Sequence, residues 1–299
     1  MISGYQHAQF EFKKKLRKLA KVFNGVKMDL KAINNLPEHN GSEALMPLLF
    51  VGHGNPMNAI LQNEFSLGWQ QVAKALPKPV AILCISAHWE TEGTFVTAVD
   101  KPRTIHDFYG FPKELFNVEY PAPGNITLAE ETKSIITATK VESDFNWGLD
   151  HGCWCVLKHL YPLADIPVIQ LSLDYRKSPE MHYELAGELS SLRKKGVLII
   201  GSGNIVHNLG LISWHDNQEY EWVAEANEKL KQLITSNDHR KLMAYKLLGN
   251  AVQLAIPTPE HFLPLLYILG LKNENEQISF FNDKTELGSI SMTSLKIGY

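Results

Sequence analysis

The sequence predicts an α/β fold: a single domain with a central, mostly parallel sheet flanked by helices. Three observations predict it. Apolar runs of strand length, such as PLLFVG at 47–52 and GVLIIGSGN at 196–204, alternate with segments of helical periodicity. Those runs are apolar nearly throughout rather than at every second position, which marks strands covered on both faces. The composition is that of an ordinary globular chain, 44% hydrophobic and 20% charged, and 299 residues suffice to bury a sizeable core.

The elements follow in order from Met46. PLLFVG is the first buried strand. SLGWQQVAKALPKP carries Leu67, Val72 and Leu76 at helical spacing and is closed by Pro77. VAILCISAH is the second strand and GTFVTAV a third. TLAEETKSIITATK reads as a helix with Thr127 as its cap, and IPVIQLSLD as a strand. Ser178 and Pro179 open a further helix as cap and first-turn proline, with Gly196 closing it. GVLIIGSGN is the next strand and EWVAEANEKLKQLI an amphipathic helix. EQISFFND and LGSISMTSLKIG read as closing, antiparallel strands. Residues 1–45 stand apart as a basic N-terminal extension: FEFKKKLRKLAKVF sets Phe12, Leu16, Leu19 and Phe23 at helical spacing among lysines and arginine, which reads as a solvated or packed helix. Residues 46–299 read as a single domain.

Several function classes drop out. A net charge of −3 gives no reason to expect nucleic acid, and no apolar run approaches a membrane span. Cys84, Cys153 and Cys155 cannot all pair, and no export signal is visible, so a cytoplasmic monomer is expected. GSGNIV follows a strand as a dinucleotide loop would, but Val206 stands where the third glycine belongs. No G-x-S-x-G elbow is present, and Cys153 lacks the electropositive neighbours of a nucleophile.

Histidine is what remains. His53 follows the first strand directly between two glycines, His88 ends the second, and His207 lies just past the strand GVLIIGSGN. In a parallel sheet such positions gather in the crevice beyond the strand carboxyl ends. Neutral imidazoles side by side in a crevice need compensation, and a divalent cation supplies it. His261, between prolines in IPTPEHFLPLLY, is a fourth candidate. His151 in WGLDHGCW is a fifth, and His106 in TIHDFYGFP sits in an aromatic loop able to cover a flat ligand. His7, His39, His159, His182, His215 and His239 lie in helical or polar contexts and read as structural or solvated.

FVGHGNPMNAI, SAHWE, TIHDFYGFP, YPAPG, WGLDHGCW, GSGNIVHNL and PTPEHFLPLLY, in unbroken order over about residues 46 to 298, together resemble the 4,5-DOPA extradiol dioxygenase family of class III extradiol ring-cleavage dioxygenases. The resemblance implies a mononuclear metal in the crevice, surrounded by His53, His88, His207 and His261. His151 is implied beside the substrate, where it moves protons, and His207 is either a ligand or an acid/base. It further implies cleavage of a catechol such as L-DOPA by O₂ to a muconate semialdehyde, with His106 and His151 contacting substrate. The donor set is all imidazole, whereas non-haem iron oxygenases typically include a carboxylate. Zn²⁺ is therefore expected in purified protein and Fe²⁺ in dioxygenation, with Glu260 the alternative carboxylate donor. A zinc-dependent hydrolase and a non-catalytic metal-binding protein on the same fold are the competing readings.

Overall fold

The apolar runs fold into strands with no exposed face. A computed structural model describes residues 45–213 and 219–299, so the basic extension and His7, His39 and His215 lie outside the described residues. In chain order the strands are β1 (Leu48–Gly52), β2 (Ala81–Ser86), β3 (Glu90–Thr91), β4 (Thr94–Thr97), β5 (Val141–Asp144), β6 (Val168–Gln170), β7 (Leu173–Asp174) and β8 (Val197–Gly203). They are followed by β9 (Ile278–Phe281), β10 (Thr285–Glu286), β11 (Ile290–Ser291) and β12 (Ser294–Ile297). Six of them make the central sheet in the order β6-β2-β8-β1-β12-β9. β6, β2, β8 and β1 are mutually parallel, and β12 joins β1 antiparallel and carries β9 antiparallel in turn.

Every residue of β1, β2 and β8 is buried, because alternate side chains feed two separate apolar layers. Leu48, Phe50, Leu83, Ile85 and Ile199 face one layer, packed with the helices Pro179–Glu188, Glu221–Thr235 and Leu263–Gly270. Leu49, Val51, Ile82, Cys84 and Ile200 face the other, covered by the helices Glu64–Lys74 and His151–Leu160. The fold is thus a single α/β domain with a mostly parallel sheet between helical layers. Among the described residues no helix is long and apolar enough to cross a membrane.

Local detail departs from the sequence expectation in five places. β4 does not extend the central sheet but pairs with β5 as a separate parallel ribbon. β2 is flanked by β6 and β8 and has no free edge, and β4 instead meets the end of β6, where Thr97 Oγ1 accepts the Gln170 N–H at 2.8 Å. IPVIQLSLD breaks into β6 and β7, the latter pairing with β3. The cap of the helix Ile126–Ile135 is Asn125, whose side chain accepts the Leu128 N–H; Thr127 lies inside the first turn. The helix Glu64–Lys74 buries Phe65 and Trp69 and leaves Leu67 exposed, so its inward stripe is rotated from the one expected. The helix opened by Ser178 and Pro179 ends at Glu188, and a second, Ser190–Lys194, intervenes before Gly196, which has φ +76°.

Candidate active site

β2, β8 and β1 are adjacent, so the residues that leave their carboxyl ends are neighbours. His53 follows β1 and donates its backbone N–H to Gly203 of β8 at 3.1 Å. His88 lies two residues beyond β2, and His207 four beyond β8. The His261 turn joins them because the Asn204 N–H donates to the His261 carbonyl at 2.9 Å, and Gly203 leaves no room for a Cβ against that carbonyl. His151 is the first residue of its helix, with the Asp150 carboxylate capping the Cys153 N–H at 3.0 Å.

The glycines around His53 have separate causes. A Cβ on Gly52 would lie 2.8 Å from the Met292 backbone, and Gly54 has φ +58°, in the left-handed region. Gly152 serves the same purpose from the helix side: a Cβ there would meet Ser86 Oγ at 2.5 Å and His88 Cδ2 at 2.8 Å.

The result is a packed group of imidazoles. Ring centroids lie 5.0 Å apart for His53 and His88, 3.8 Å for His88 and His151, and 5.2 Å for His53 and His261. Nε2 of His53 and Nε2 of His88 are 3.1 Å apart. Ring nitrogens of His53, His88 and His151 lie within 4.8 Å of one another, and so do donor atoms of His207, Glu260 and His261.

Hydrogen bonds orient these rings. The Ser202 hydroxyl donates to the Gly152 carbonyl at 2.5 Å, which commits its hydrogen. Its oxygen therefore accepts from His53 Nδ1 at 3.0 Å, leaving His53 Nε2 a bare lone pair. A carboxylate only accepts, so Glu260 fixes a proton on His261 Nδ1, 3.0 Å away. His261 Nε2 is buried without a partner. Asp107 stands 2.9 Å from His151 Nδ1 and 3.5 Å from His88 Nδ1, and accepts the His151 backbone N–H at 2.8 Å.

Burial keeps these rings neutral. It pushes His53 and His88 well below the ordinary histidine value, and the positive charge of neighbouring imidazoles adds to the effect. His207 is pushed down to about 3 by burial and by His261. His261 is also lowered by burial, against the opposing pull of Glu260. Burial alone would raise Glu260, but the hydrogen bond from His261 and its charge take it down to about 2. Burial and neighbouring Cys84 push the Cys153 thiol well above its usual range, as suits an inert side chain.

The other candidates are placed differently. His207 lies flat on His261, with centroids 3.5 Å apart and planes 9° from parallel. Its donor atom lies within 4.8 Å of those of Glu260 and His261. His106 donates through Nε2 to the Val118 carbonyl, 2.9 Å away, and its ring lies against Phe108, Phe116 and Trp154. Phe108 in turn meets His151 edge-on at 5.6 Å. Of the histidines read as structural or solvated, His159 bonds the Asn58 carbonyl, His182 the Tyr267 hydroxyl and His239 the Tyr183 hydroxyl. Sequence reasoning missed Asp107 and Ser202. Asp107 adjoins His106 inside a loop singled out for its aromatics, and nothing in the sequence marks Ser202.

The donor chemistry suits a metal ion. With the proton of each ring on Nδ1, the Nε2 lone pairs of His53 and His88 would face each other at 3.1 Å, an arrangement that a cation between or beside them stabilises. The outward nitrogens of His53 and His261 are occupied by acceptors, as in histidine metal sites.

Comparison with known proteins follows the same line. Residues 47–294 match the family described as the catalytic LigB subunit of aromatic ring-opening dioxygenase. The chain is 44% identical over 262 residues to a protein of Escherichia coli (strain K12) named 4,5-DOPA dioxygenase extradiol, covering 86% of this chain and 96% of that one. It is 36% identical over 254 residues to a Beta vulgaris protein of the same name, covering 83% and 94%. The crystal structure of the uncharacterized protein JW3007 from Escherichia coli K12 superposes with a TM-score of 0.75 at 41% identity, over 85% of this chain and all of that one.

Proposed function

The chain belongs to the LigB family of aromatic ring-opening dioxygenases and is an extradiol ring-cleavage dioxygenase, and from that premise we propose that it opens a catechol such as L-DOPA with O₂ to a muconate semialdehyde at a single divalent metal. The observation that supports the metal site is the 3.1 Å approach of Nε2 of His53 and Nε2 of His88, beside the His261 ring, 5.2 Å from that of His53, whose Nε2 is buried without a partner. The name shared by the bacterial and plant relatives supports DOPA as the catechol.

His53, His88 and His261 hold the ion, and His207 stands against His261 as a further ligand or an acid/base. A divalent metal held by these residues would supply a Lewis-acidic centre through which a catechol could pass electron density to O₂. The protein's own part is orientation and proton movement. His151 accepts a proton from a catechol hydroxyl at Nε2 and returns it to oxygen as the ring opens, so that catechol and O₂ combine with no atom lost. Phe108 lies against the substrate ring and excludes water, and His106 braces Phe108 from behind. The buried thiols Cys84, Cys153 and Cys155 suit a reducing compartment, so we assign a cytoplasmic monomer.

An all-imidazole donor set with Glu260 turned onto His261 Nδ1 favours Zn²⁺ in purified protein and Fe²⁺ as the catalytic ion. The test is metal analysis coupled to oxygen uptake on a catechol panel after anaerobic iron reconstitution. Uptake stoichiometric with a yellow ring-fission product supports the proposal. Substrate turnover without O₂ would identify a hydrolase, and bound metal with no turnover of any catechol a non-catalytic protein.

A further inference from the structure

We propose that Asp107 is a positioning residue that sets the tautomer and facing of His151, tying the aromatic loop to the reacting centre. This rests on the catechol dioxygenase reading above and goes beyond it, since Asp107 carries no assigned role there.

One carboxylate reaches both the backbone and the side chain of His151. Oδ1 accepts the His151 backbone N–H at 2.8 Å, while Oδ2 stands 2.9 Å from His151 Nδ1, an ion-pair contact at a nitrogen that is buried without a hydrogen-bond partner. A carboxylate repels a lone pair that faces it, so the tautomer with the proton on Nδ1 is favoured and Nε2 of His151 keeps the lone pair that takes a proton in the reaction. The His88 ring, with its centroid 3.8 Å away, confines the His151 ring from the other side.

The loop holds the carboxylate firmly. The Ile105 N–H donates to the Leu149 carbonyl at 2.8 Å, and the Ile105 carbonyl accepts Trp154 Nε1 at 2.8 Å. On the other side Phe108 packs with Phe111 and Phe116 at 5.4 and 5.0 Å. Asp107 therefore lies between a loop that is pinned at its start and the aromatic cluster that faces His151.

The test uses full-length protein, with Asp107→Asn and Asp107→Glu. Long-range ¹⁵N–¹H correlation spectra of ¹⁵N-histidine-labelled, metal-free protein read the tautomer of each ring directly. Wild type is expected to show Nδ1–H for His151. Asp107→Asn is expected to add the Nε2–H form to His151 and lower kcat about 100-fold with KM changed far less. Asp107→Glu, which restores the carboxylate, should recover part of kcat. Nε2–H at His151 in the wild type overturns the proposal even if both variants fail to fold. So does Asp107→Asn that loses only thermal stability, with tautomers and kcat intact. A wild type that cleaves no catechol refutes the dioxygenase reading instead, while the tautomer spectra still decide the role of Asp107.

Discussion

Replacing Gly152 with alanine sets helix propensity against packing. Gly152 is the second residue of the helix His151–Leu160, where alanine would ordinarily gain about 1 kcal/mol. The new methyl would lie 2.5 Å from Ser86 Oγ, 2.8 Å from His88 Cδ2 and 3.3 Å from Asp150 Oδ1. Ser86 cannot yield freely, since its hydroxyl donates to the fully buried Asp150 carboxylate at 2.6 Å. Overpacking of this kind costs about 1–3 kcal/mol, and straining a buried hydrogen bond to a charged acceptor adds about 1.5–3 kcal/mol. The net expectation is a loss of roughly 1.5–5 kcal/mol, or a Tm lowered by several degrees for a domain of this size. His88 must also turn, so metal affinity should fall with stability. Urea unfolding of the metal-free protein and competition with a chromophoric chelator measure the two effects. A Gly152→Ala protein at least as stable as wild type, with undiminished metal affinity, would refute the close approach of this helix to His88.

Three other outcomes follow from the same geometry. Ser202→Ala removes the acceptor at His53 Nδ1 and should weaken metal binding about 10–100-fold; chelator competition showing unchanged affinity would contradict it. His151→Ala should retain the metal, by elemental analysis, while kcat falls about 10²–10⁴-fold, and loss of the metal instead would make His151 a ligand. His182 is buried and neutral, lowered from 6.5 to about 4 by burial and by Lys177. A histidine depressed in the folded state leaves the unfolded chain to take up the proton. Its contribution is therefore complete above pH 6.5 and is lost as pH falls from there towards 4, on the order of 3 kcal/mol in all. Urea unfolding at pH 7.5 and pH 5 should show a smaller difference in His182→Gln than in wild type; an equal difference would mean that His182 does not titrate this way.

Local chemistry determined much of this protein before any folding. Runs such as AILCIS declare strands buried on both faces, because only such strands have no polar side to show. His53 and His88 were legible for the same reason, each following its strand at a place where parallel sheets expose their ends. The capping of Pro179–Glu188 by Ser178 is equally local, one side chain meeting a backbone N–H three residues on. The error at Thr127 came from two polar residues competing for one cap, a choice that backbone direction at Asn125 made.

Only the tertiary structure decided which nitrogen of each histidine faces inward. That depends on Ser202, Glu260 and Asp107, of which Ser202 is 149 positions from its histidine. It also decided that His207 lies flat on His261 and that His106 packs against Phe108, Phe116 and Trp154. Strand-end position is inherited from the residue's own segment and is visible in one dimension. Ring orientation is set by hydrogen-bond partners brought in from other segments, and the sequence carries no mark of those partners until the chain has folded.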